Sequence, residues 1–174
     1  GGAVTGLLFR RPSNPMSKIP LTVSGAGKLR AELQRLKTIE RPSVIAAIAE
    51  ARLHGDLSEN AEYDAAKDRQ GFVEGRIAKI EETLGNAHIV DPAQVDAEGR
   101  IVFGATVDLE DLELGTEVRY QIVGDDEADI KQRLIYVSSP IARALIGKSE
   151  GDSLEFQAPN GTRNYEIIGV RYEI

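Results

Sequence analysis

Residues 63–84 read YDAAKDRQGFVEGRIAKIEETL, and within them Tyr63, Ala66, Gln70, Val73, Ile77, Ile80 and Leu84 recur at spacings of three and four. This is the seam of a helix packed lengthwise on another helix. Gly71 and Gly75 each weaken such a helix by up to about 1 kcal/mol relative to alanine, unless close packing uses them. Upstream, Leu29, Leu33 and Leu36 carry a similar stripe, which Ile45 and Ile48 continue toward Arg52. Pro42 interrupts it. Proline is costly inside a helix and tolerated in its first turn, so the spacing predicts a kink near residues 38–42 and a fresh helical segment from Pro42 to about His54. A few residues around Gly55 then join two amphipathic helices into an antiparallel hairpin. At about 1.5 Å per residue each arm is near 40 Å long, too thin to be the core of a compact domain.

Past the hairpin the texture changes. Residues 91–100, DPAQVDAEGR, read as a linker, and six of the nine aromatic residues lie beyond it. The runs IVFGATVDL, TEVRYQIVG, QRLIYVSS, SLEFQAP and RNYEIIGVRYEI alternate in the manner of strands and are rich in β-branched and aromatic residues. Asn160-Gly161 marks a hairpin turn between the last two. PIARALIG, residues 140–147, reads as one short helix with proline in its first turn and glycine at its end. The expected fold is α+β: an N-terminal antiparallel coiled-coil hairpin over residues 16–90, a linker over 91–100, and a small antiparallel β domain with one short helix over 101–174. Residues 1–15 precede Met16, the only methionine, and read as a cloning remnant or translated upstream extension. A signal peptide is a poor reading, because the arginines follow the short apolar run instead of leading it.

The bulk numbers narrow the function classes. Hydrophobic residues make up 41% and charged residues 28% of the 174, the balance of a folded globular chain. No apolar run approaches the length of a membrane span. Cysteine is absent, which removes disulfides and thiolate metal sites and suits the cytoplasm. The formal charge of −7 falls entirely on the C-terminal part, since residues 1–100 hold 14 basic and 14 acidic side chains. An acidic module repels phosphate backbones, so autonomous sequence-specific DNA binding is not expected, and a protein partner fits better.

The turn of the hairpin, HGDLSENAEYDAAK over residues 54–67, admits two readings. Asp56 or Ser58 with Glu59 could cap the second helix in the manner of a capping box, the carboxylates also relieving the helix dipole. Alternatively, Asp56 and Glu59 are metal ligands. Magnesium is commonly held by one or two carboxylates plus phosphates and water, so an exposed pair could complete a site supplied by a partner. A long arm with acids at its end suits delivery of a missing ligand into a narrow cavity where phosphoryl chemistry is run. His54 with Asp56 is too small a set to be a metal site.

Three stretches, GDLSENAEYDAAKDRQGFVEGRIAKIE, GDDEAD at 124–129 and SPIARALIGKSEGD at 139–152, together resemble the Gre family of bacterial transcript cleavage and elongation factors, its GreA branch more than GreB. The resemblance spans essentially the whole chain after Met16. It implies a coiled-coil hairpin followed by an FKBP-like domain, the latter docking on RNA polymerase at the rim of its secondary channel while the hairpin enters. It implies that Asp56 and Glu59 are donated to the polymerase active centre, where they help hold a Mg²⁺ ion shared with the polymerase and absent from the isolated protein. It further implies that Arg52 and Lys67 lie near the 3′ end of the nascent RNA, and that Asp125, Asp126, Glu127 and Asp129 belong to the polymerase-docking surface. On residue pattern alone, GDDEAD lacks the ligand spacing of a calcium loop and reads as a solvated acidic turn.

Three functions follow from these readings. The first is an accessory elongation factor that stimulates Mg²⁺-dependent cleavage of backtracked RNA by the polymerase, without being an enzyme itself. The second is a Gre-like inhibitor that occupies the channel without promoting cleavage. The third is an FKBP-like chaperone or prolyl isomerase, which the absence of tryptophan to floor an apolar pocket disfavours.

Overall fold

The computed structural model describes residues 18–55 and 60–173. The chain opens with strand β1 (Ile19–Thr22) and enters helix α1 (Val23–Arg35), whose N-cap is Thr22, its hydroxyl accepting the Gly25 N–H at 3.0 Å. A π turn (Leu36–Glu40) follows, and helix α2 (Arg41–Arg52) continues from it without a break. The kink expected near residues 38–42 is therefore a widened turn. Pro42 has no N–H to give and its ring crowds the carbonyl four residues back. The chain accommodates both with the wider turn, in which the Arg41 N–H reaches the Leu36 carbonyl, and Thr38 donates its hydroxyl to the Gln34 carbonyl at 2.8 Å.

The π turn also corrects the sequence reading of the stripe. Leu29 and Leu36 lie one heptad apart, and an unbroken helix would next present residue 43. One extra residue in the turn moves the buried face on, and it resumes at Val44, Ile48 and Ala51. Ile45, expected to face inward, is 54% exposed.

Helix α3 (Ala61–Gly85) runs back along α1 and α2 for 25 residues, about 37 Å at the α-helical rise. Its seam is as expected: Ala66, Val73, Ile77 and Ile80 are buried against Leu29, Leu36, Val44 and Ile48, with Tyr63 and Leu84 packed at the margins. Strand β2 (Ala87–Val90) then pairs in parallel with β1, Ile19 opposite Ala87 through Thr22 opposite Val90. Parallel strands need a long crossover, and here the crossover is the hairpin itself, so its two ends are fastened together at its base.

The C-terminal unit is a five-stranded sheet in the order β5-β4-β3-β7-β6, built from β3 (Thr106–Asp111), β4 (Glu117–Val123), β5 (Leu134–Tyr136), β6 (Ser153–Ala158) and β7 (Gly161–Arg171). Helix α4 (Pro140–Leu145) covers it, capped by Ser139, whose hydroxyl accepts the Ala142 N–H at 3.2 Å. Alternation along the strands sends Val107, Leu109, Ile122, Leu154 and Ile167 inward to meet Ala142 and Leu145 of α4.

Two details differ from the sequence reading. The sheet is antiparallel except at one edge, where β5 runs parallel to β4 because residues 124–133 cross over through two short 3₁₀ turns, Asp125–Glu127 and Ile130–Gln132. The β6–β7 turn is Pro159-Asn160, with Gly161 already paired to Ala158 at φ +124°. Among the described residues no helix is long and apolar enough to cross a membrane.

Candidate functional site: the hairpin tip and its base

Helix α2 ends at Arg52, and the chain leaves it through Leu53, His54 and Gly55, the last at φ +101°. Asp56 and Glu59, the expected metal ligands, lie outside the described residues, as do Leu57 and Ser58. The described flank corrects the capping reading. Helix α3 is capped by Asn60, whose side-chain oxygen accepts the Tyr63 N–H at 3.1 Å, while its amide donates to the Ala51 carbonyl of α2 at 2.7 Å. Glu62 and Asp64 supply the acidic first turn. The cap of α3 therefore needs neither Asp56 nor Ser58. Asn60 went unnoticed in the sequence because the more familiar Asp-x-x-Glu pattern stood just before it.

Arg52 closes α2 and Lys67 sits two turns into α3; both side chains are exposed. Lys67 donates to Gln70 at 3.0 Å, and neither cation forms an ion pair among the described residues. Leu53, beside them, is 84% exposed.

Below the tip, cross-helix ion pairs run along the rod. Arg41 grips Glu74 with two hydrogen bonds of 2.7 and 2.8 Å, Arg76 grips Glu32 in the same way, Arg69 meets Glu40 at 2.8 Å and Lys37 meets Glu81 at 2.6 Å. The guanidinium hydrogen bonds hold the carboxyls of Glu32, Glu40 and Glu74 below the ordinary glutamate range. Exposed pairs like these add little energy singly. They fix which residues of the two arms face each other.

At the opposite end, the acidic segment 124–129 makes hydrogen bonds within the chain while Asp125 and Asp126 stay exposed. Glu127 accepts the backbone N–H of Thr22 at 3.0 Å and of Gly124 at 2.7 Å, and the Thr22 hydroxyl as well. Asp126 accepts the Thr83 hydroxyl at 3.3 Å and adds to the field that raises the Arg76 pKa, whose main cause is the Glu32 hydrogen bond. Asp125 accepts the Ser138 hydroxyl at 2.9 Å, and Asp129 accepts the Lys131 N–H at 3.0 Å. The four acids expected at a docking surface are thus engaged within the chain, two of them across the junction of hairpin and sheet. A cleft of about 250 Å³ lies there, lined by Lys28, Glu32, Arg76, Gln121 and Asp129 among others. Beside the acidic turn, a second pocket of about 300 Å³ is apolar, walled by Ile130, Leu134, Ile135, Tyr136 and Ile141.

Comparison with known proteins matches residues 19–89 to the family model described as transcription elongation factor, N-terminal, and residues 96–172 to that described as transcription elongation factor, GreA/GreB, C-terminal. The chain belongs to the GreA/GreB family of transcription elongation factors. It is 68% identical over 157 residues to proteins named transcription elongation factor GreA from Alkalilimnicola ehrlichii and from Neisseria meningitidis serogroup A, an alignment covering 90% of this chain and 99% of each relative. Among solved structures it resembles GreA factor homolog 1 of Thermus thermophilus, with 26% identity, TM-score 0.41, and coverage of 88% of this chain and 99% of that one. It also resembles the GreA/GreB factor of Nitrosomonas europaea, at 22% identity and TM-score 0.39, covering 89% and 100%. At these scores the superpositions add nothing to the assignment. The GreA/GreB assignment covers both units described above, the hairpin and the sheet.

Proposed function

We propose that this GreA/GreB family member is a transcript cleavage factor: it binds RNA polymerase, inserts its hairpin tip-first into the secondary channel, and stimulates the polymerase's own hydrolysis of backtracked nascent RNA. The observation that carries this reading is the 68% identity, over nearly the full length of the relative, to a protein named transcription elongation factor GreA. The polymerase is the catalyst and this chain its accessory. It works in the cytoplasm, where a bacterial polymerase works.

In this reading Asp56 and Glu59 donate carboxylate oxygens to a Mg²⁺ ion held jointly with the polymerase. The donor set fits, because two hard-oxygen ligands suit magnesium and leave the rest of its shell to a partner and to water. Two carboxylates fill only a small part of magnesium's octahedral shell, so the polymerase would have to complete the site. Held there by Asp56 and Glu59 with the polymerase's own ligands, magnesium would supply activation of a water and charge stabilisation at the scissile phosphate. Arg52 and Lys67, exposed on opposite arms beside the tip, face the displaced 3′ end of the RNA and offset its phosphate charge. The α3 cap at Asn60 and the ion pairs along the rod hold the tip in shape while it is presented. Docking on the channel rim falls to the acidic turn, Asp125, Asp126, Glu127 and Asp129, together with its apolar neighbours, where Ile130 is 65% and Tyr136 44% exposed.

An elongation assay tests the reading against the channel-blocking alternative. Polymerase arrested on a template is chased with nucleotides, with and without the protein. Rescue of arrested complexes supports the cleavage factor. Slower chain growth with no rescue would replace it with an inhibitor.

A further inference from the structure

We infer that Glu127 is a positioning residue that fixes the angle of the hairpin on the β domain, and so places the tip acids; the functional half of this inference rests on the reading just given. The argument begins with what Glu127 touches. One carboxylate oxygen accepts both the Thr22 and the Gly124 N–H, and the other accepts the Thr22 hydroxyl, which itself caps α1 by accepting the Gly25 N–H. A single side chain of the β domain therefore holds the first turn of the hairpin. A charged acceptor with several donors is a strong contact for its size.

Two glycines make the seat. A Cβ on Gly25 would overlap the Glu127 carboxylate, and one on Gly124 would overlap the Pro20 carbonyl. Neither glycine is there for a left-handed turn, since Gly124 has φ −65° and Gly25 lies within α1. Close approach of the two units is what requires them. The next residue in the same turn, Asp126, reaches Thr83 near the end of α3. Asp125 ties the turn to Ser138, at the entry to α4. Both ends of the hairpin are thus referred to one three-residue turn, which is itself anchored on the β domain.

A lever amplifies any error at its base. With α3 about 37 Å long, a tilt of 10° carries the tip through about 6 Å. Misplacement of a reacting group by about 1 Å already costs around a hundredfold in rate. A tip that must supply ligands at an active centre needs a stiff base, and the Glu127 contact is placed to supply it.

The test uses the full chain, whose lack of cysteine lets two introduced thiols carry spin labels without competition. Labels at Asp68→Cys on the hairpin and Glu155→Cys on β6, both exposed, report the angle by electron–electron resonance. Parent, Glu127→Ala, Gly25→Ala and Glu127→Gln are compared, with far-ultraviolet circular dichroism confirming that each is folded. Gly25→Ala keeps the charge and displaces only the carboxylate. Glu127→Gln can still accept the N–H groups and donate to the Thr22 hydroxyl.

The expected result is one narrow distance distribution for the parent and the glutamine variant, and a broad one for the two alanine variants. In stimulated cleavage the alanine variants should lose about ten- to a hundredfold in rate at saturating factor, with half-saturation unchanged within about threefold, and glutamine should restore most of the rate. An unaltered distribution in folded Glu127→Ala would overturn the inference. So would broadened distances with full cleavage at saturation. If the parent itself stimulates no cleavage, the proposed function fails, and the label distances on the free protein still decide whether Glu127 fixes the angle.

Discussion

Asn60 does two jobs at the hairpin tip, and they can be separated. Its oxygen caps α3 by accepting the Tyr63 N–H, and its amide spans the turn to the last carbonyls of α2 at Ala51. Removing the side chain in Asn60→Ala forfeits an N-cap, about 1 kcal/mol, and one further hydrogen bond between the arms, about 1 kcal/mol again. About 2 kcal/mol lost locally corresponds to roughly thirtyfold faster opening. The loss should stay at the tip, because the seam from Ala66 to Ile80 is buried independently of it.

Hydrogen exchange read at the Tyr63 amide, whose acceptor is Asn60 itself, should therefore accelerate by about thirtyfold, while the amides of Ile77 and Ile80 keep parental protection. Asn60→Asp retains the capping oxygen and loses the donor to Ala51, so its Tyr63 amide should fall between the two. Equal protection of Tyr63 in parent and Asn60→Ala would refute the cap. Uniform loss of protection along α3 would refute its local character.

Other perturbations read other parts of the molecule. Ile80→Ala empties a site that is 1% exposed at the base of the seam, and should cost about 2–5 kcal/mol in urea unfolding of the hairpin; a cost below about 1 kcal/mol would mean that this packing is not what joins the arms. Because the carboxyls of Glu32, Glu40 and Glu74 sit below their ordinary value of 4.5 in the folded hairpin, their pairing contributes fully at neutral pH. That contribution is lost as pH falls below that value. Helix melting followed by circular dichroism should drop below about pH 4.5, less so at high salt, and a melting temperature level down to pH 3 would contradict the pairing. Calorimetry should find no tight stoichiometric Mg²⁺ site in the protein alone, since two carboxylates leave most of the ion's octahedral shell to water; a tight site would overturn the shared-ligand scheme. Ile130→Glu should weaken polymerase binding while leaving the fold intact, and unchanged binding would move the docking surface elsewhere.

The long-range architecture was legible because the seam is periodic and long. Seven positions at spacings of three and four leave one solution for α3, and the alternation of TEVRYQIVG and SLEFQAP leaves little choice for β4 and β6. What escaped the sequence depended on single residues acting out of register. The π turn shifted the buried face from Ile45 to Val44, because a periodic reading assumes a constant number of residues per turn. Strands β1 and β2 are four residues each, and the proline in IPLT hid the first of them.

The site was legible in part. The sequence singled out the tip acids and the flanking cations by motif, and the described flanks of the turn place Arg52 and Lys67 on opposite arms, exposed. The internal hydrogen bonds of the acidic turn were not legible, because a cluster of carboxylates in a loop does not reveal which residues it meets. Its partners, Thr22, Thr83 and Ser138, lie 105, 43 and 13 residues away and carry no pattern of their own.

The donated-ligand claim meets its most direct test in a single reaction. RNA polymerase is stalled in a backtracked complex carrying 3′-labelled RNA, Mg²⁺ is added, and the protein is compared with its Asp56→Ala/Glu59→Ala form at equal occupancy of the polymerase. The account predicts short labelled 3′ fragments with the parent and background release with the double variant. Equal release by both, or no release by a fully bound parent, would contradict it.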